Sequence, residues 1–158
     1  MLTAWRIAKT RYASAAFDGE GARVNGGRWN SVGVPVAYAS ESVALAVLEV
    51  LVGIEKTSLL ASYSLVSARF SEAGVEVLGA DALPDNWRSY PPPPDTQRIG
   101  DRWIAERRSL VLQVPSVIIE AESNYLLNPA HPAFASVVRS APTAFDIDPR
   151  LVAGVRKR

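Results

Sequence analysis

Glu49 is the only charged residue in Val43-Ala44-Leu45-Ala46-Val47-Leu48-Glu49-Val50-Leu51-Val52. A helix that is apolar on every side is a buried helix. A carboxylate within it costs free energy unless it is paired or faces a wet cleft. Helical spacing sets Ser42, Ala46 and Gly53 on the side of Glu49, and their small side chains leave room beside it. A cleft carboxylate is the favoured reading, with a structural ion pair to an arginine as the alternative. Arg28 sits in Gly26-Gly27-Arg28-Trp29-Asn30, where glycines permit close backbone approach and a guanidinium can grip phosphate oxygens with two prongs. Taken alone this is a weak signal, since most loop arginines are merely solvated. Tyr38 offers a ring for stacking and a hydroxyl for hydrogen bonding, though a lone tyrosine is more often a core residue than a catalyst. Farther along, Ser116 stands at the mouth of an apolar run, and Ser123 and Asn124 add hydroxyl and amide groups; turn capping is the plainer job for each.

Composition removes several other chemistries. The chain has 158 residues, the size of one domain, with 48% hydrophobic and 21% charged residues. No cysteine is present, which excludes a disulfide framework, a thiolate nucleophile and cysteine-type zinc sites. The single histidine, His131, is wedged in Pro129-Ala130-His131-Pro132, so neither a histidine metal cluster nor a Ser-His-Asp triad is expected. Net charge is +1, without the basic excess of a nucleic-acid binder. The closing Val155-Arg156-Lys157-Arg158 reads as a solvated tail. There is neither a signal-peptide pattern nor an apolar run long enough to span a membrane, so a cytoplasmic protein is expected.

The elements that must position these groups read as an irregular mixture, α+β rather than doubly wound. Trp5 to Ala8 is a short first strand, and residues 18–33 form a glycine-rich loop. That loop fails GxGxxG, with Val24 in place of the third glycine, and it lacks a Walker lysine. Val34 to Ala39 is expected as a strand and is followed by the Glu49 helix, with Ser40 as N-cap, Glu41 in its first turn and Gly53 just past its end. Ala61 to Phe70 and Val75 to Leu78 are further strands. Pro91 to Pro94 read as a rigid surface connection, Gly100 to Leu112 as a helix, and Val114 to Ile119 as a buried central strand. A short strand and helix end the chain. Residues 1–158 are expected to form a single domain.

With these residues in order, the chain resembles the RES family, toxins of toxin–antitoxin pairs named for a key Arg, Glu and Ser. The likeness runs through Trp5-Arg6-Ile7, Gly26-Gly27-Arg28-Trp29-Asn30, Pro35-Val36-Ala37-Tyr38-Ala39 and Ala46-Val47-Leu48-Glu49-Val50. It continues through Leu83-Pro84-Asp85-Asn86-Trp87, Gly100-Asp101-Arg102-Trp103 and Val114-Pro115-Ser116, and ends in Asn124-Tyr125-Leu126-Leu127-Asn128-Pro129-Ala130-His131-Pro132. The resemblance implies an ADP-ribosyltransferase-like fold, small mixed sheets and flanking helices around a cleft for NAD, which is substrate rather than cofactor. It also implies an Xre-type helix-turn-helix antitoxin as partner, with a dimer inside that complex among the assemblies it admits. On this reading Glu49 stabilises the oxocarbenium-like ribose and Arg28 holds phosphate and nicotinamide-side groups. Tyr38 stacks on the leaving ring, while Ser116 (Ser123 as second choice) and Asn124 orient the ribose. No metal is required. Water or phosphate is the preferred acceptor of ADP-ribose, making a glycohydrolase or phosphorylase; a protein side chain would make a mono-ADP-ribosyltransferase. A catalytically inactive binding module is the reading from a different class.

Overall fold

The computed structural model describes residues 1–54 and 61–153. The basic tail, expected to be solvated, lies outside the described residues.

The strands are β1 (Leu2–Lys9), β2 (Ala37–Ser40), β3 (Tyr63–Phe70), β4 (Val75–Val77), β5 (Val111–Pro115), β6 (Ser123–Leu127), β7 (Val138–Arg139) and β8 (Thr143–Phe145). The helices are α1 (Glu20–Asn25), α2 (Val43–Gly53), α3 (Pro94–Glu106) and α4 (Pro149–Val152). This is the expected mixed α+β architecture. The strands form one sheet in the order β4-β5-β6-β2-β1-β3-β7, with β8 also on β3. Among the described residues, only β4 and β5 run parallel. The sheet is unevenly sewn. β1 pairs with β3 along its whole length, from Leu2↔Phe70 to Lys9↔Tyr63, but meets β2 at the single pair Trp5↔Ser40. A sheet held by one pair at its middle opens there, and the opening is where the polar side chains gather.

The two-residue period of β2, β5 and β6 divides their side chains between two cores. Ala37, Ala39, Val111, Tyr125 and Leu127 pack on one face with Phe17, Val66 and Phe70. Leu112, Val114 and Leu126 pack on the other with Trp29, Val36, Trp103 and Ile104, and Tyr38 leans on this second cluster.

Several boundaries differ from those expected. The glycine-rich stretch is not all loop. Gly19, at φ 78°, precedes α1, which carries Glu20 in its first turn and Arg23 in its last, an arrangement suited to the helix dipole. Residues 34–36 lie outside β2, because Pro35 has no amide to give to a ladder. Ser42, not Ser40, caps α2: its Oγ accepts from Leu45 N at 3.0 Å. Ser40 is the last residue of β2, and Glu41 consequently precedes the helix. Gly53 is the final helical residue rather than the one beyond it. The helix placed at 100–112 starts earlier, at Pro94, where a missing amide costs nothing, and stops at Arg107 with φ 50°. That releases Val111 and Leu112 to β5, which ends at Pro115, so the strand expected at 114–119 is shifted upstream. Finally, α2 is not buried on all sides. Leu45 and Ala46 are buried, but Val52 is 70% exposed.

Candidate functional site

β2 turns alternate side chains to the opening, and the ladder fixes which. Ser40 pairs with Asn124 and Tyr38 with Leu126, so Tyr38, Ser40 and Asn124 share one face. α2 crosses β1 and β2 on that side and brings Glu49 over them. Two adjoining cavities result. One, about 280 Å³, is lined by Trp5, Arg6, Tyr38, Ser40, Glu49 and Asn124 among others. The other, about 740 Å³, shares Arg6, Tyr38, Glu49 and Asn124 and adds Arg28 and Gly27. The larger lies in the range of small-molecule sites, about 300–1,000 Å³, and the smaller falls just short of it. As expected from helical spacing, Ala46 and Gly53 border them beside Glu49.

Glu49 is held through one oxygen. Asn124 Nδ2 donates to Oε1 at 2.7 Å, and Ser116 Oγ donates to the same atom at 3.3 Å. Asn124 is itself oriented, since Ser40 Oγ donates to its Oδ1 at 2.9 Å. Ser116 is fully buried, and its Oγ also accepts from Ile118 N and Ile119 N, so it caps a turn while facing Glu49. Oε2 has no hydrogen-bond partner among the described residues, where Glu49 also forms no ion pair. Among the described residues, then, no arginine pair holds this carboxylate.

Arg28 Nη1 donates to Trp87 O at 2.7 Å and Ser89 O at 2.8 Å, which anchors one prong of the fork on a neighbouring loop. Partial burial pulls its pKa below the ordinary value, opposed first by the charge of Glu49 and then by Tyr38. The guanidinium stays cationic and faces the carboxylate across the cavity. Tyr38 contributes its ring, but its hydroxyl is already engaged: it accepts from Trp29 N at 3.0 Å and donates to Asn30 Oδ1 at 2.7 Å. Burial, above all, pushes the phenol's pKa up. Gly27 permits this contact, because a Cβ there would lie 2.8 Å from the Tyr38 oxygen.

The structure thus gathers Arg28, Tyr38, Glu49 and Asn124 at one cavity and places Ser116 behind Glu49. It does not bring Ser123 there. Ser123 precedes Asn124 in β6 and points to the opposite face, where its Oγ accepts from Gln113 Nε2 at 2.9 Å. The lining residues not expected from the sequence include two arginines, Arg6 and Arg88. Arg6, in β1, borders both cavities, and its Nη1 donates to Ala16 O at 2.7 Å. Desolvation lowers its pKa, with Asp18 opposing. Its signal was available, for it is a lone charge in Trp5-Arg6-Ile7-Ala8, the same anomaly that singled out Glu49. Among the described residues no cluster of acidic residues or histidines is suited to a metal ion.

With that geometry in place, comparison with known proteins is informative. The RES domain family model matches residues 3–148. A protein named Toxin Res from Yersinia enterocolitica is 40% identical over 148 residues, covering 93% of this chain and 97% of its own. The Prs ADP-ribosylating toxin of a Sphingobium strain is 36% identical over 153 residues, covering 94% and 95%. Among solved structures, the M. tuberculosis MbcT–MbcA toxin–antitoxin complex contains a chain that superposes with a TM-score of 0.75 at 19% identity, over 91% of this chain and 84% of that one. That likeness is one of fold.

Proposed function

The chain belongs to the RES domain family, and on that footing we propose that it is the toxin of a toxin–antitoxin pair and cleaves the nicotinamide–ribose bond of NAD. The observation that carries the reading is the held carboxylate: Glu49 fixed through Oε1, with Oε2 unengaged among the described residues, opposite a cationic Arg28 in a cavity of about 740 Å³. Arg28 and Arg6 would take the pyrophosphate, and the Tyr38 ring would lie against the nicotinamide. Oε2 would accept from a ribose hydroxyl and stabilise the positive charge that grows on the sugar. The C1′–N bond breaks, its electron pair returns to the pyridinium nitrogen, and neutral nicotinamide leaves. An acceptor oxygen then bonds to C1′ and loses its proton. The leaving group is already cationic, so no metal is called for.

Asn124 and Ser116 act in this account through Glu49, holding it rather than the ribose. Water or inorganic phosphate is the acceptor we favour. The relative named a Prs ADP-ribosylating toxin supports a second reading, transfer of ADP-ribose to a protein. The mouth of the cavity carries exposed apolar groups, Val52 at 70% and Tyr90 at 89%, a surface suited to a protein partner. A helix-turn-helix antitoxin covering it is the partner we propose.

Induced expression with intracellular NAD followed in time tests the reading. NAD falls before growth stops, and co-expression of the neighbouring antitoxin prevents both. Growth arrest at constant NAD would transfer support to modification of a specific protein.

A further inference from the structure

We infer that one face of α3, formed by Gln97, Gly100 and Asp101, fixes the position of Arg28 in the cavity. These residues are three and four apart and so share a side of the helix. Each meets the backbone beside Arg28. Gln97 Nε2 donates to Gly27 O at 3.1 Å, on the N-terminal side. Asp101 accepts from Ser31 N at 2.9 Å through Oδ1 and from Ser31 Oγ at 2.6 Å through Oδ2, on the C-terminal side. Between them the helix carries Gly100, where any Cβ would overlap Trp29 O. The loop can rest on α3 only because that side chain is missing.

Asp101 is a charge without a cationic partner: among the described residues it forms no ion pair. Both of its oxygens are committed to one serine, and none of Gln97, Gly100 and Asp101 lines the cavity. The opposite side of the loop is held by Tyr38 and Asn30, and Asn30 Nδ2 donates to Ala22 O and Val34 O. Arg28 therefore projects from a segment clamped on both sides, and its long side chain is steadied farther out by Trp87 O and Ser89 O. An arginine fork recognises phosphate only from a fixed origin, since its rotamer freedom is otherwise lost on binding. Asp101 is accordingly a positioning residue that acts through Arg28.

The clamp itself is independent of the ligand; its effect on NAD rests on the function proposed above. Two measurements on the full chain separate them. Backbone amide exchange reads the clamp without ligand: Ser31 exchanges faster in Asp101→Ala and close to the parent rate in Asp101→Asn, which keeps an acceptor. NAD affinity is read by calorimetry in a Glu49→Gln background that preserves the ligand. Asp101→Ala weakens NAD by about tenfold, as expected for a charge-assisted contact, and Asp101→Asn restores most of it. In an Arg28→Lys background the same change alters affinity by less than about twofold. Ser31→Ala repeats the pattern with a smaller factor and serves if Asp101→Ala does not fold. Unchanged Ser31 exchange overturns the inference, as does equal weakening with and without Arg28. If the Glu49→Gln protein with Arg28 and Asp101 intact binds no NAD, the NAD reading fails, and the exchange result alone decides the clamp.

Discussion

Replacing Asn124 separates the holding of Glu49 from the carboxylate itself. Asn124→Ala deletes the 2.7 Å donor to Oε1 and leaves Ser116, at 3.3 Å, as the remaining side-chain hydrogen bond to that oxygen among the described residues. A hydrogen bond to a charged group contributes about 1.5–3 kcal/mol. With about 1.4 kcal/mol for each factor of ten in rate, kcat should fall by about ten- to a hundredfold. KM should move little, because Arg28 and Arg6 are untouched. Asn124→Asp has nearly the same shape and the opposite electrostatics. Two carboxylates 2.7 Å apart repel by about 6 kcal/mol at an effective dielectric constant of about 20, before either takes up a proton. This variant should be the poorer enzyme at neutral pH and recover partly as pH falls, when a shared proton rebuilds an O–H donor. The assay is the initial rate of nicotinamide release over a range of NAD concentrations, with circular dichroism as folding control. A folded Asn124→Ala protein with the parent kcat refutes the claim that Asn124 holds the reacting carboxylate.

Arg28→Lys should weaken NAD binding about tenfold or more, because an ammonium cannot keep Trp87 O and Ser89 O and still offer two prongs to phosphate; calorimetry reads it, and equal affinity moves Arg28 out of the site. Tyr38→Phe strands Trp29 N and Asn30 Oδ1 and should cost about 1–3 kcal/mol, seen as a lower melting temperature. The Tyr38 phenol has its pKa raised above the ordinary 10.0, so the folded state holds this proton more tightly. Its stabilisation is complete below pH 10.0 and is lost as pH rises above that value, so the parent's advantage over Tyr38→Phe should narrow in alkali; a constant difference in melting temperature contradicts the assignment. Activity should be indifferent to chelators and thiol-blocking reagents, and inhibition by a chelator reversed by one divalent ion would overturn the metal-free mechanism.

What the sequence revealed of this site came from residues that violated their surroundings. Glu49 stood out because one charge in an apolar helix needs a reason, and Arg28 because two glycines preceded it. Periodicity supplied α2, β3 and β4 nearly as they stand, along with the mixed α+β class. Boundaries set by competing partners were less legible. Ser40 and Ser42 are both good caps in isolation, and only the pairing of Ser40 with Asn124 decides for Ser42. Likewise Ser123 and Asn124 are adjacent in sequence, yet strand alternation sends one to Gln113 and the other to Glu49. The start of α3 is hidden because Pro94 closes the Pro91–Pro94 run, which suits a rigid connection as well as a helix start. Asp101 was invisible for another reason: its partner, Ser31, lies seventy residues away in sequence.

The central claim is that this chain breaks the nicotinamide–ribose bond with Glu49, and the most direct measurement is product analysis after incubating the purified full chain with NAD. Nicotinamide should appear in step with loss of NAD, together with free ADP-ribose, or with ADP-ribose phosphate when phosphate is supplied. Glu49→Gln should fold normally and release nicotinamide at least about a hundredfold more slowly. Label from NAD appearing on an added protein would select the transfer reading while keeping Glu49 at its centre. Intact NAD, or a Glu49→Gln rate equal to that of the parent, would contradict the account.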